Sequence, residues 1–174
     1  MDVGKAIPLT AHDLQAKYLD EVLRFVSSFV WPLADAEDVV MEVFQAAFIN
    51  LPKLKRKDDP RVWLLGIARR KVANSLRMRY RRAETPLSEA ESSFRTDQAR
   101  IEQQTLVHAL LAELPHDQSE ALVLKYANGL STREVADVLG KSEAAANSLL
   151  QRARESFYTK GSPLFLETTE ANHV

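Results

Sequence analysis

Large apolar residues recur every three to four positions along most of the chain, and no segment sustains the alternation of apolar and polar residues typical of a half-buried strand. This periodicity predicts amphipathic α-helices. Glycine and proline are few, five and seven respectively, and apart from Gly66 they lie at the boundaries of the periodic segments. The predicted helices cover residues 12–29, 35–51, 61–82, 105–114, 118–127, 132–139 and 143–157. The fold class is therefore predicted to be all-α.

A change of composition divides the chain into two helical blocks. The stretch after Arg82 contains Pro86, is rich in Ser, Glu and Thr, and holds few large apolar residues, so it is predicted to be a flexible linker. The tail is expected to fray, although the apolar run 163–166 offers a patch that could dock on the second block or on a partner. The predicted layout is a domain over 10–82, a linker over 83–104, a domain over 105–159 and a tail over 160–174.

Polar residues that favour helix ends precede several periodic segments. Asp35 and Asp117 are predicted N-caps, whose side chains would accept hydrogen bonds from the first amides of a helix. Ser131 and Glu134 have the spacing of a capping box, in which side chain and backbone bond reciprocally. Gly140 is predicted to end the helix that follows, and Ser142 to cap the last one.

Residues 130–157 have the pattern of a helix-turn-helix: a capped short helix, a turn and a longer second helix. In such a unit the second helix enters the DNA major groove, where side chains near its start contact base edges. Asn and Gln can bond bidentately to adenine, whereas Arg152 and Arg154 are better placed to contact phosphates. From spacing alone, an ordinary helical hairpin within a bundle remains an alternative. The exposed candidates are Ala145, Asn147, Ser148, Gln151 and Arg152.

The net charge of −1 conceals a strong segregation of charge. Residues 53–82 contain twelve Lys or Arg and two acids, whereas residues 13–50 contain seven acids and two bases. Such a division indicates two surfaces with different partners. The basic segment suits the phosphates of a nucleic acid, and the acidic segment suits a basic protein surface.

Other classes of site are not supported by the sequence. The chain has no cysteine, which excludes disulfides and thiolate zinc sites, and its four histidines lack metal-ligand spacing. There is no nucleophile–base set or phosphate-cradling glycine loop, so we expect no cofactor, no metal and no catalytic activity. The first ten residues do not resemble a signal peptide, and no apolar run approaches the roughly 20 residues that span a bilayer. We therefore expect a cytoplasmic protein without membrane insertion.

Three motifs resemble the extracytoplasmic-function (ECF) sigma factors. Residues 129–142 with Arg152-Ala153-Arg154 resemble the domain that reads the −35 promoter element in that family. Residues 35–44 resemble its polymerase-binding helix, and residues 63–69 resemble the start of its −10 recognition helix. The resemblance covers roughly residues 13–159. It implies a sigma region 2-like bundle and a region 4-like helix-turn-helix in a factor that recognises and melts promoter DNA.

The resemblance also implies partners and assigns residues to them. The expected partners are core RNA polymerase, through its β′ clamp coiled coil and β flap, promoter DNA and an anti-sigma factor. The predicted polymerase-binding residues are Asp35, Asp38, Met41, Glu42 and Gln45. The predicted −10 residues are Lys55, Arg56, Lys57, Arg61, Arg69, Arg70, Asn74, Arg77, Tyr80 and Arg81. The predicted −35 residues are Arg133, Ser142, Ala145, Asn147, Ser148, Gln151 and Arg152.

Some positions leave alternatives open. Trp63 begins an apolar stripe, so we expect it in the core rather than as a stacking platform for a base. Leu149 stands where a cation is common in the family and is a candidate contact for a protein partner. Residues 105–159 hold seven acids and five bases, so the second domain is expected to bind DNA weakly alone. The alternative function is a sigma-like DNA-binding regulator that does not itself support initiation.

Overall fold

The computed structural model describes residues 10–54, 59–83 and 98–171. The predicted contact residues Lys55, Arg56 and Lys57, and most of the predicted linker, lie outside these ranges. Every regular element in the described part of the chain is helical, as the periodicity predicts. The chain divides into two compact units between Ala83 and Glu84. Among the described residues, no helix combines the length and the apolar character needed to cross a bilayer.

The first unit consists of three long helices, α1 (Ala11–Ser27), α2 (Leu33–Asn50) and α3 (Pro60–Ala83), with a 3₁₀ turn (Leu51–Lys53) after α2. Each pair of helices is in contact. Buried apolar side chains from all three form one core, because each helix turns its apolar stripe inward. The most completely buried are Leu14, Val22, Phe25, Val26, Val43, Leu64 and Leu65.

Local hydrogen bonds explain where α1 and α3 begin. Thr10 and Asp13 form a capping box, in which the Thr10 side chain accepts from the Asp13 amide and the Asp13 carboxylate accepts from the Thr10 amide. The Thr10 hydroxyl also donates to the Asp13 carboxylate at 2.6 Å, and this bond together with the one from the Thr10 amide lowers the pKa of Asp13. At α3, Asp59 Oδ1 accepts from the amide of Arg61 at 2.8 Å, and Pro60 occupies the first helical position, where its missing amide hydrogen costs nothing.

The second unit contains α4 (Gln98–Glu113), α5 (His116–Leu122), α6 (Thr132–Leu139) and α7 (Glu143–Ala171). A π-helical turn (Val123–Ala127) extends α5. The core lies where α5 and α6 pack against α7. It is formed by buried apolar side chains that include Leu124, Leu130, Val135, Ala146, Leu149 and Ala153.

Two predicted N-caps are wrong. Helix α2 begins at Leu33 and α5 at His116, so Asp35 and Asp117 lie in the first helical turn rather than ahead of it. In each case a proline, Pro32 or Pro115, occupies the N-cap position with a non-helical backbone and makes no side-chain cap. An acidic side chain is also stabilised in the first turn by the positive end of the helix dipole. Composition alone therefore does not distinguish an aspartate at the N-cap from one in the first turn.

Two helices are longer than the periodicity predicts. Helix α4 begins at Gln98, seven residues before Thr105, in a polar segment that the sequence assigned to the linker. Helix α7 continues to Ala171, past Pro163 and through most of the tail that we expected to fray. The spacing of apolar residues marks only the packed part of a helix, so both helices were predicted too short.

Candidate functional site

Helix α2 exposes the five residues predicted to bind a basic partner. Asp35, Asp38, Met41, Glu42 and Gln45 are all solvent-exposed, and we call them the acidic face. The opposite side of α2 carries the buried residues Ala36, Val40, Val43, Phe44 and Ala47. The acidic face therefore contributes nothing to the core, and its carboxylates are accessible to a protein partner. Met41 is 61% exposed and adds an apolar centre to this face.

Two carboxylates of the acidic face are paired with cations of α3. Lys71 donates to Glu42 across 3.0 Å, and Arg79 Nη1 lies 3.9 Å from Asp35 Oδ2. The same nitrogen of Arg79 donates to the backbone oxygen of Trp31 at 2.6 Å. The anionic surface of α2 and the cationic surface of α3 therefore meet along one edge of the unit.

The predicted −10 residues on α3 do not share one environment. Arg70, Asn74, Arg77, Tyr80 and Arg81 are exposed, as a DNA-binding role requires, and Tyr80 is 74% exposed. Arg69 is half-buried.

Arg61 has a structural partner. Its Nε donates to Glu21 on α1 across 2.7 Å, and about three quarters of each side chain is covered, since their exposed fractions are 23% and 25%. This ion pair joins α3 to α1. Because the two residues are 40 positions apart, the sequence alone does not indicate that they are in contact.

A pocket of about 400 Å³ lies between the end of α2 and the first half of α3. We call it the α2–α3 pocket. Only two of its residues, Arg70 and Asn74, belong to the predicted −10 set. Trp63 is half-buried and lines this pocket, so it does not belong to the fully buried core that the apolar stripe predicts. The lining residues are Ala46, Asn50, Lys53, Trp63, Ile67, Arg70, Lys71 and Asn74.

Helices α6 and α7 form the predicted helix-turn-helix. The Ser131–Glu134 capping box is present, with both reciprocal hydrogen bonds. Gly140 ends α6 with φ at +64°, a left-handed conformation that favours glycine. The Ser142 hydroxyl then accepts from the amide of Ala145 at 3.2 Å and caps α7. Ser142 therefore has a structural role in addition to its predicted −35 role.

The outer side of the first turns of α7 carries the predicted base-reading residues. Ala145, Asn147, Ser148, Gln151 and Arg152 are exposed, as is Arg133 on α6. Gln151 donates its amide to Glu155 at 3.2 Å, and Arg152 Nε lies 3.4 Å from the backbone oxygen of Ser148. Both side chains are thus held along the helix surface.

Leu149 is not a candidate contact for a protein partner. It is 2% exposed and packs in the core of the second unit with Ala146 and Leu150. The apolar residue at this position is explained by packing, because it follows Ala146 by three positions on the buried side of the helix.

The pocket residues Asn50, Lys53 and Lys71 were missed as a group by sequence reasoning. They come from three elements, the end of α2, the 3₁₀ turn and α3, which meet only after folding. The sequence feature that pointed to them was the cluster of Lys and Arg residues after Leu51, which predicts a basic surface but not a cavity. Among the described residues, no group of three or more His, Asp or Glu is placed to hold a metal ion.

Together these features define a helical DNA-binding protein of two units, one with adjoining acidic and basic surfaces and one with a helix-turn-helix. Comparison with known families agrees with this class. Residues 14–82 match the family model of sigma-70 region 2, and residues 104–157 match that of sigma-70, region 4.

Individual relatives identify the family. The ECF RNA polymerase sigma factor SigC of Mycobacterium tuberculosis is 33% identical over 146 residues, which cover 82% of this chain and 78% of the relative. SigM of Bacillus subtilis, another ECF sigma factor, is 25% identical over 162 residues, or 88% of this chain and 98% of the relative. The structure of CnrH in complex with the cytosolic domain of CnrY superposes with a TM-score of 0.72 at 26% identity, covering 88% of each chain. The chain belongs to the ECF RNA polymerase sigma factor family and is a sigma factor that directs transcription initiation.

Proposed function

We propose that the chain binds core RNA polymerase through the acidic face of α2 and positions it on promoter DNA through α3 and α7. The observation that carries this proposal is the arrangement of charge in the first unit. Exposed carboxylates on α2 and exposed guanidinium groups on α3 occupy adjoining surfaces of one folded body. A protein that bridges a basic protein surface and DNA needs such a division.

The polymerase contact is proposed to be the β′ clamp coiled coil for the first unit and the β flap for the second. Asp38 and Glu42 are the central carboxylates of the acidic face, and Met41 lies between them in sequence as an exposed apolar contact. Charge complementarity at such an interface would raise the association rate and fix the register, while the apolar contact adds burial.

The −10 contact is proposed to involve the exposed side of α3. Arg77 and Arg81 can neutralise phosphates and release condensed counterions, which gives salt-dependent affinity. Tyr80 can stack on an unpaired base of the melted strand. Lys55, Arg56 and Lys57 belong to the same proposal, although they lie outside the described residues.

The −35 contact is proposed to be made by the start of α7. Asn147 and Gln151 are placed to contact base edges, and Arg133 and Arg152 to contact phosphates. Because acids outnumber bases over residues 105–159, the second unit alone should bind DNA weakly, and its contact should become effective when polymerase holds both units on one promoter.

An anti-sigma factor is the further partner that we propose. CnrH, which this chain resembles along 88% of its length, was solved with the cytosolic domain of CnrY. An inhibitor that covered the acidic face would exclude polymerase by competition for the same carboxylates. We propose no catalytic activity for the chain, since polymerase performs the chemistry of RNA synthesis.

Run-off transcription with purified core polymerase tests the proposal. Core enzyme plus this chain should start transcripts at defined sites on genomic templates, and core enzyme alone should not. The competing function, a regulator that does not support initiation, predicts specific binding to duplex DNA without polymerase and no defined start sites. Failure to form a complex with core polymerase would refute the proposed function.

A further inference from the structure

Two ion pairs join the acidic face of α2 to helix α3. Arg79 Nη1 lies 3.9 Å from Asp35 Oδ2, and Lys71 Nζ lies 3.0 Å from Glu42 Oε2. On each helix the two paired positions are about two helical turns apart. The later cation of α3 meets the earlier acid of α2, so the two helices run in opposite directions along this edge. The pairs therefore engage the first and the last carboxylate of the acidic face.

Both pairs are accessible to solvent and hence to other molecules. The exposed fractions are 47% and 51% for the Arg79–Asp35 pair, and 31% and 57% for the Lys71–Glu42 pair. Ion pairs in such an environment contribute little to stability, because water solvates the separated charges almost as well. Each of these pairs can therefore be exchanged for a contact with another charged molecule.

Pairing conceals charge on both surfaces at once. A cation that already neutralises a carboxylate attracts a phosphate weakly, because the pair has no net charge and displaces few of the counterions condensed on DNA. In the same way, a paired carboxylate attracts a basic protein surface less strongly. The free chain therefore presents only part of the positive charge of α3 and only part of the negative charge of the acidic face.

Arg79 also donates from Nη1 to the backbone oxygen of Trp31 at 2.6 Å. This bond keeps the guanidinium group beside the start of α2. Because a backbone carbonyl carries no net charge, the bond does not neutralise Arg79. The positive charge of Arg79 is thus available to a phosphate whenever Asp35 is engaged by another cation.

Binding at one of the two surfaces should consequently release charge at the other. A basic protein that engages the two paired carboxylates leaves Lys71 and Arg79 without their acidic partners on α2. Both cations belong to the helix that carries the predicted −10 residues, yet neither was assigned to that set. We infer that Lys71 and Arg79 are conditional phosphate contacts, which α2 holds in the free chain and which become available to promoter DNA when polymerase occupies the acidic face. This inference rests on the proposed function, since polymerase supplies the basic surface.

The salt dependence of DNA binding by the free chain tests the inference. The full chain is titrated with fluorescently labelled oligo(dT) of about 12 nucleotides at several salt concentrations. For single strands, log affinity changes with log salt with a slope of about −0.7 for each phosphate contact. Asp35→Asn combined with Glu42→Gln releases both cations. The affinity should therefore rise about fourfold at low salt, and the slope should steepen by up to about 1.4.

Matched substitutions separate the release of two cations from a general change of charge. Asp20→Asn combined with Glu37→Gln also removes two exposed acids, and neither forms an ion pair within the described part of the chain. This control should leave the slope unchanged. The released cations are identified by repeating the paired-acid substitutions in a chain that carries Lys71→Met and Arg79→Met. In that background the steeper slope should disappear.

Binding to core polymerase tests the reciprocal effect, because a coupling between two ligands acts equally in both directions. Lys71→Met combined with Arg79→Met leaves both carboxylates unpaired by α3. This variant should bind core polymerase about fourfold more tightly than the parent chain in the absence of DNA. A merely structural role of the two cations predicts weaker binding instead. The gain should be absent when Asp35→Asn and Glu42→Gln are also present, and circular dichroism checks that each variant is folded.

Three results would overturn the inference: an unchanged slope in the paired-acid variant, a steeper slope that persists without the two cations, or equal or weaker polymerase binding by the folded methionine variant. The amides have the shape of the carboxylates they replace, so the slope decides the question even if the methionine variant does not fold. A chain that shows the change of slope but does not bind polymerase contradicts only the proposed function. A chain that binds polymerase without any change of slope contradicts only this inference.

Discussion

Lys71 of α3 and Glu42 of α2 form an ion pair with 3.0 Å between Nζ and Oε2. Glu42 belongs to the acidic face, and Lys71 lines the α2–α3 pocket. One hydrogen bond therefore connects the surface proposed for polymerase with the α2–α3 pocket, although the two residues are 29 positions apart in the chain. The acidic face and the pocket therefore share an edge of the first unit.

Replacing the acid of this pair should affect binding far more than folding. Because the Glu42 side chain is 57% exposed, its pair with Lys71 should contribute only about 0.5 kcal/mol or less to stability. We expect Glu42→Gln to weaken the complex with core polymerase about tenfold, since a charge at the interface is lost. Titration of labelled core polymerase measures the affinity. Asp20→Asn, an exposed acid on α1, is the control, and an equal loss there would contradict a specific role for Glu42.

The Arg61–Glu21 pair should behave as a structural contact. Both side chains are mostly covered and 2.7 Å apart, so removal of either partner leaves the other charge poorly solvated. We expect Arg61→Met and Glu21→Gln each to destabilise the first unit by about 1–2 kcal/mol, with losses that are not additive in the double variant. Urea unfolding followed by tryptophan fluorescence measures this, because both tryptophans lie in the first unit. Additive losses would show that the contact contributes no coupling.

Two glycines should respond to alanine with opposite signs. A Cβ at Gly66 or at Gly140 would meet no atom within 4 Å, so neither substitution creates a clash. Gly66 lies within α3, where alanine should stabilise the first unit by about 0.5–1 kcal/mol. Gly140 has φ at +64°, where alanine should destabilise the helix-turn-helix by about 1 kcal/mol or more. Urea unfolding measures the effect of Gly66→Ala, and hydrogen exchange of α6 and α7 measures the effect of Gly140→Ala. If both substitutions stabilised the protein, or both destabilised it, the explanation from backbone conformation would be wrong.

The stability of the second unit should fall in mild acid because of His108. Burial lowers the pKa of His108, since the neutral ring is favoured away from water. Between that lowered value and the ordinary value of about 6.5, the unfolded chain binds more protons than the folded chain, so stability rises with pH and is lost as pH falls below about 6.5. His108→Gln should flatten this dependence, as measured by hydrogen exchange of the second unit across that range. His12→Gln, in the first unit, is the control and should leave the slope unchanged.

The position of Leu149 gives a prediction that separates a core residue from a surface residue. With 2% exposure, Leu149→Ala should destabilise the second unit by about 2–5 kcal/mol. Its neighbour Ser148 is exposed, and Ser148→Ala should change the stability by less than about 0.5 kcal/mol while still allowing a change in promoter binding. Unfolding of the full chain followed by far-ultraviolet circular dichroism provides the comparison. A stable Leu149→Ala variant would contradict the described packing.

The sequence by itself determined the helical class, the acidic and basic segments and the helix-turn-helix. These properties follow from short-range patterns: the spacing of apolar residues, the Ser131–Glu134 capping box and the glycine at position 140 each act within a few positions. The same patterns misplaced the starts of α2 and α5, because Pro32 and Pro115 occupy cap positions that Asp also favours.

Only the tertiary structure decided which charged side chains are joined and where a cavity forms. Positions that are distant in the chain come together in two ion pairs, Arg61 with Glu21 and Lys71 with Glu42. The eight residues that line the α2–α3 pocket are likewise brought together by folding. Helical periodicity assigns a residue to the inner or outer side of its own helix, but it does not specify which side chains of a second helix will lie opposite. That information comes from how the three helices pack around their shared core.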